Sequence, residues 1–184
     1  MKKQIITACL YTVITAVLLG VLYPLAVTGI ARLLFRDKAD GQMVQRNGEV
    51  VGSRLIGQPF TGPGYFHSRP SASGAGYDAA NSSGSNLGPS SKTLIDRVSA
   101  STAAESNGSP VPVDLVTASA SGLDPDLSPA AALYQVPRVA KERHLPESTL
   151  TEMVQKSILP RQFGLLGEPR VNVLQLNLAL DNTK

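Results

Sequence analysis

QIITACLYTVITAVLLGVLYPLAVTGIA, residues 4–31, runs for 28 positions without a charged side chain. At about 1.5 Å per residue it makes a helix of ~42 Å, longer than the ~30 Å of a bilayer's hydrocarbon core. A helix is also the form in which a lone segment satisfies its own backbone hydrogen bonds in lipid. A core helix of that length in a soluble protein needs a polar face, and this one has none. A cleaved signal peptide has an apolar region of only about 7–15 residues. Leu25-Ala26-Val27-Thr28-Gly29 offers no small-x-small cleavage site either. The expectation is a retained single span at about residues 5–31, within an N-terminal anchor of residues 1–36.

Ala8, Thr12, Ala16 and Gly20 recur every four residues and make a ridge of small side chains along the span. Small residues let helix backbones approach closely in lipid, so the ridge is a candidate for packing on a partner helix. Pro24 lacks a donor and is expected to disturb the helix there. Orientation is not set by charge. Lys2 and Lys3 before the span oppose Arg32, Arg36 and Lys38 after it, close to a tie under the positive-inside rule.

Residues 41–184 have the length of one ordinary domain. The chain carries a formal charge of +3, but five of its 17 basic and two of its 14 acidic residues flank the span, leaving a neutral domain. With no basic stripe to track phosphates, a nucleic-acid partner is not expected. The single cysteine, Cys9, lies inside the span, so the domain has neither a disulfide nor a thiolate for metal or nucleophilic chemistry.

Met43 to Val51, with Asn47-Gly48 at its middle, reads as a hairpin on a type I′ turn. From Gln58 to Ser91, glycine, proline and serine dominate, yet Phe60, Tyr65, Phe66, Tyr77 and Leu87 are spaced through the segment. So many apolar anchors predict an ordered, irregular loop layer rather than a linker. A helix is expected over Ser90–Ala104 with Leu94, Ile95 and Val98 on one face, and a short edge strand over Val111–Thr117. Ser128-Pro129 starts a helix running to about His144, with Pro137 inside it. A second starts near Pro146 and carries Leu150, Met153, Val154 and Ile158. Residues 171–181 alternate like a strand, but Asn172 with Gln175 resembles a capping box. A short strand at Arg170–Val173 leading into a terminal helix is preferred. The fold class expected is α+β: one N-terminal transmembrane helix, then one mixed α/β soluble domain with a large irregular loop layer.

No catalytic or metal-binding residues are assigned. The chain has no P-loop, no Asp-Lys-Thr-Gly run, no His-Glu-x-x-His and no G-x-S-x-G elbow. His67 and His144 are its only histidines, and nothing in their spacing selects a triad. Asp124-Pro125-Asp126 lacks the glycine and glutamate of a calcium loop and reads as a turn. Ser83-Gly84-Ser85-Asn86 has the amides and the carboxamide to line a phosphate or ribose, although a structural turn explains the same residues.

Gly57-Gln58-Pro59-Phe60, Gly64-Tyr65-Phe66-His67-Ser68-Arg69-Pro70-Ser71-Ala72 and Ser83-Gly84-Ser85-Asn86-Leu87 occur in this order. Val113-Asp114-Leu115-Val116-Thr117-Ala118-Ser119-Ala120-Ser121-Gly122-Leu123-Asp124 and the run Val171 to Asp181 follow. Together with the leading span, these stretches closely resemble the KdpC family, the C subunits of bacterial potassium-transporting P-type ATPase complexes. Ser85 departs from the pattern, where glycine is more usual.

The resemblance implies a subunit of the plasma (inner) membrane, needed for assembly of an ATP-driven potassium uptake complex. Its partners there are a channel-like A subunit, an ATP-hydrolysing B subunit and a small F subunit. Catalysis is assigned to the B subunit, whose ATP affinity the C subunit is described as raising, as a catalytic chaperone. On that picture Ser83, Gly84, Ser85 and Asn86 are the candidates for ATP contact. The family's domain is also placed outside the cytoplasm, where ATP is not, and that topology is the stronger constraint. ATP is then met only through the partner subunit. Tyr65, Phe66, Arg69 and Pro70 are expected to contact the A subunit or to fix the loop that does. The competing class is a stand-alone membrane-tethered binding or sensor domain.

Overall fold

A computed structural model describes residues 1–183. The chain is α+β and divides into two units, residues 1–50 and residues 51 onward.

In the first unit α1 (Lys2–Val17) passes through a π-helical turn (Leu18–Leu22) into α2 (Tyr23–Leu34). The combined helix of 33 residues spans ~50 Å at the standard rise and has no buried residue. The expected disturbance at Pro24 takes the form of that wide turn. Tyr23 N–H reaches back five residues to the Leu18 carbonyl, just before the proline that has no N–H to give. Thr12 donates its hydroxyl to the Ala8 carbonyl at 2.9 Å, and Thr15 donates to Tyr11 at 2.8 Å. Both polar groups are thereby satisfied within the helix, as lipid requires. After Phe35 breaks the helix, a single turn, α3 (Arg36–Ala39), leads to a hairpin of β1 (Met43–Arg46) and β2 (Glu49–Ser53). Asn47 (φ 55°) and Gly48 (φ 85°) form its turn, as the Asn-Gly pair predicts.

The second unit is built on α5 (Pro129–Arg143), α6 (Glu147–Lys156) and α7 (Val173–Asp181). Leu127, Val136, Val139, Leu150, Val154, Val171, Leu176 and Leu180 form most of its core. Beside them lies a small antiparallel sheet in the order β3 (Asp126–Leu127), β5 (Arg170–Asn172), β4 (Ile158–Leu159). Asp126 pairs with Asn172, and Ile158 with Val171. The predicted caps are in place: Ser128 Oγ accepts from Ala131 N–H at 3.2 Å, and Asn172 Oδ1 accepts from Gln175 N–H at 3.1 Å. The strand-then-helix reading of residues 170–181 holds, and α5 runs through Pro137 without a break.

Three expectations are corrected. Val111–Thr117 is not a strand. Pro110 and Pro112 supply no donors, and the chain closes on itself as a 3₁₀ turn (Val113–Leu115), with Leu115 N–H bonded to the Pro112 carbonyl at 3.1 Å. Ile158 is not in the second helix, which ends at Lys156 so that Ile158 can pair with β5. α4 (Lys92–Glu105) forms where predicted, but it has no buried residue and Ile95 points outward, 55% exposed.

The irregular layer of residues 58–91 is ordered by two buried carboxamides. Asn177, on α7, accepts from Phe66 N–H and donates to the Phe66 carbonyl, both at 2.9 Å. Gln135, on α5, accepts from His67 N–H at 2.7 Å and donates to the His67 carbonyl at 3.2 Å. Phe66 itself is fully buried in the core. Replacing Asn177 with alanine orphans both Phe66 backbone groups at about 1–3 kcal/mol each. Asn177→Ala is therefore expected to cost roughly 2–6 kcal/mol. Thermal unfolding of the full chain in detergent measures this; an unchanged melting temperature contradicts the clamp.

Candidate functional site

Three layers of contact shape the segment singled out by the sequence. The arc at residues 62–67 is held from α5. Arg138 donates to the carbonyls of Pro63 and Tyr65, and Arg143 donates through Nε to the Gly64 carbonyl at 2.8 Å. The Arg143 guanidinium also lies over the Tyr65 ring, 4.5 Å from its centroid, and pairs with Asp181 at 2.8 Å. Tyr65 is half-buried and touches Phe60, their ring centroids 5.9 Å apart.

Next, Arg69 Nη1 binds Asp124 Oδ2 at 2.9 Å, while Tyr77 donates its hydroxyl to the Arg69 carbonyl. Burial is the main influence raising the Tyr77 phenol above its ordinary value. Arg69 is thus an internal tie, and Pro70 beside it is half-buried. Phe66, lying in the core, can only scaffold the loop.

The serine-rich stretch packs on residues 119–124. Ser71 donates to the Gly122 carbonyl at 2.6 Å, Ser82 to Ser121 at 3.0 Å, and the buried Ser73 to the carbonyls of Asp78 and Asn81 at 2.6 and 2.8 Å. Gly122 (φ 67°) lies so close to Ser73 and Ser83 that a Cβ there would come within 2.8 Å of three of their atoms. Here hydroxyls take the place of strand ladders.

Within that packing, Ser83 spends its hydroxyl on the Ala72 carbonyl at 3.2 Å, and a Cβ on Gly84 would sit 2.9 Å from the Ala120 carbonyl. Asn86 is exposed with a left-handed φ of 52°, next to a half-buried Ser85. The candidate nucleotide run is therefore part of a loop-on-loop contact.

A cleft of about 320 Å³ opens beside Phe60, His67, Arg69, Tyr77, Glu105 and Leu115. His67 directs Nε2 at the Gly62 carbonyl (3.1 Å) and Nδ1 at Glu105 Oε1 (3.6 Å). With both nitrogens facing oxygen acceptors, the imidazole is committed to holding the loop to the end of α4. Asp124 and Asp126 of the sequence's turn are likewise spent. Asp124 serves Arg69, and Asp126 serves Asn172 (3.1 Å) and Arg170 (2.9 Å). Burial is the main cause of the upward shift of the Asp126 carboxyl. Among the described residues no group of three or more His, Cys, Asp or Glu side chains is placed to hold a metal ion.

The four ridge residues of the span lie on the exposed apolar helix, and Gly20 falls within the π turn. Gln135 and Asn177 had no place in the sequence-derived site. Their one signal is a carboxamide on a helix face otherwise filled by Leu176, Leu180, Val136 and Val139.

The fold and the site define a chain with one helix long and apolar enough to cross a membrane, followed by a small α+β domain whose polar side chains are used mainly to fasten its own loops. Residues 5–182 match the family model described as KdpC: K+-transporting ATPase, c chain. The chain is 58% identical over 187 residues to a potassium-transporting ATPase KdpC subunit of Koribacter versatilis, covering 100% of this chain and 97% of that one. It is 60% identical over 176 residues to the corresponding subunit of Acidobacterium capsulatum, covering 95% and 96% of the two chains. With that of Methylobacterium nodulans it shares 59% identity over 179 residues, 89% of each chain. The chain belongs to the KdpC family.

The His67 side chain facing it is the main cause holding the Glu105 carboxyl below the usual glutamate range, against the opposing effect of burial. Because the folded value is the lower one, this stabilisation is fully present above the ordinary glutamate value. It is lost as pH falls through the folded value. Glu105→Gln should flatten that acid limb in thermal unfolding followed from neutral to acid pH. An acid limb unchanged by the substitution contradicts the pairing.

Proposed function

We propose that this chain is a non-catalytic accessory subunit of a high-affinity, ATP-driven potassium uptake complex of the plasma membrane. It joins the A, B and F subunits by its single span, and its domain lies outside the cytoplasm. The observation that carries this reading is the apolar helix Lys2–Leu34, which has no buried residue in a chain of the KdpC family. A lone spanning helix with a ridge at Ala8, Thr12, Ala16 and Gly20 gains van der Waals contact from a partner helix, where hydrophobicity alone gives none.

ATP hydrolysis belongs, on this reading, to the B subunit. The chain acts as a catalytic chaperone that raises ATP affinity there through assembly. That Ser83 and Gly84 are engaged with Ala72 and Ala120 supports a structural use of the Ser83–Asn86 run over direct ATP contact. In the loop layer, Tyr65 and Pro70 are offered to the A subunit, while Phe66 and Arg69 hold the loop in shape. The second reading, a stand-alone membrane-tethered binding or sensor domain, draws on the cleft of about 320 Å³ beside His67.

Co-purification and potassium uptake test the two together. The Ala16→Leu, Gly20→Leu double variant should inserts in the membrane but be lost from the tagged complex, and Arg69→Ala should lower uptake. Retention of the double variant in the complex contradicts ridge docking. A chain purified alone that binds a small ligand, with uptake indifferent to its deletion, supports the second reading instead.

A further inference from the structure

Between β4 and β5 the chain projects a turn that the fold leaves uncovered: Phe163 is 85%, Leu165 80% and Leu166 60% exposed. Its backbone is well fastened. Gln162 and Leu166 exchange both backbone hydrogen bonds at 2.9 Å, and Leu165 N–H also donates to the Gln162 carbonyl at 3.1 Å. Gly164 N–H donates to the Arg161 carbonyl at 3.1 Å, and an Arg161–Glu168 ion pair at 2.6 Å closes the base. Phe163 holds φ 53° beside Gly164 at φ 75°. Asn, Asp or Gly take such a position at lower cost, so the aromatic ring is kept there against backbone preference. A convex tip of three large apolar side chains encloses no small molecule; it calls for an apolar medium to enter.

We infer that this tip is a second, peripheral contact with the bilayer that anchors the chain. Three observations select lipid as its occupant. The chain carries its own apolar helix, and 16 residues separate Leu34 from Val51. That connection reaches at most about 55 Å fully extended, which keeps lipid within range at high effective concentration. The N–H groups of Gln162, Gly164, Leu165 and Leu166 all bond within the turn, which lowers the cost of entry into a water-poor region. The flanking charges cancel in the Arg161–Glu168 pair, so the contact rests on apolar burial and not on anionic headgroups.

The chain has no tryptophan, which makes a single introduced one a clean reporter. Full-length Phe163→Trp and Leu165→Trp chains are reconstituted in phosphatidylcholine vesicles, with Ile95→Trp on the exposed side of α4 as the reference. Both tip variants are expected to emit further to the blue than the reference and to be quenched by brominated acyl chains. Added phosphatidylglycerol or salt is expected to change neither. Tip tryptophans that emit like the Ile95→Trp reference and are quenched by aqueous iodide overturn the assignment. So does shielding that occurs only in the assembled complex in detergent, since the tip is then a protein contact.

Discussion

Two carboxamides hold this domain's shape. The peptide groups of Phe66 and His67 are satisfied by Asn177 and Gln135 rather than by a neighbouring strand. Each carboxamide turns one N–H and its oxygen toward the chain in the geometry of a peptide group, so α5 and α7 together imitate the strand that is missing. Unpaired, those groups would each impose a desolvation penalty, and the loop could not enter the core. Paired, they let the Phe66 side chain fill the space beside the core helices. Arg138 and Arg143 then extend the same grip along the arc back to Pro63.

From that anchor the rest of the loop layer follows as a chain of short side-chain bonds to backbone carbonyls. Ser71, Ser73, Ser82 and Ser83 each use a hydroxyl on a carbonyl of the layer or of residues 119–124. The small side chains permit the close approach, and Arg69 with Asp124 fastens the same two segments by charge. A composition that resembles a flexible linker is here a fixed surface. Such a surface suits presentation to a partner, which is the role proposed for it.

Much of this was legible in the chain where the signal is local. The long apolar helix announces itself by 28 uncharged residues, the hairpin by Asn47-Gly48, and α5 and α7 by their caps. Aromatic anchors at Phe60, Tyr65 and Tyr77 marked the loop layer as ordered. What escaped was non-local. Asp126–Leu127 and Ile158–Leu159 are too short to show a period and become strands only by pairing with β5. Asn177 looked like the polar half of an alternation, because its partner Phe66 lies 111 residues away. In the sequence alone the Ser83–Asn86 run fits a phosphate-lining loop or a turn equally in its residues, and its contacts with Ala72 and Ala120 depend on how distant loops meet.

The proposed function puts an accessory domain outside the cytoplasm, held by one span. Cysteine accessibility in intact cells tests it most directly. On a Cys9→Ser background, single cysteines replace Ser106 and Ser148, both exposed in the folded chain. Labelling of both by a membrane-impermeant reagent in intact cells is the predicted result, and it removes direct ATP contact by this domain. Protection of both until the cells are opened, persisting in a strain that lacks the partner subunits, contradicts the account and returns the Ser83–Asn86 run to consideration as a nucleotide contact.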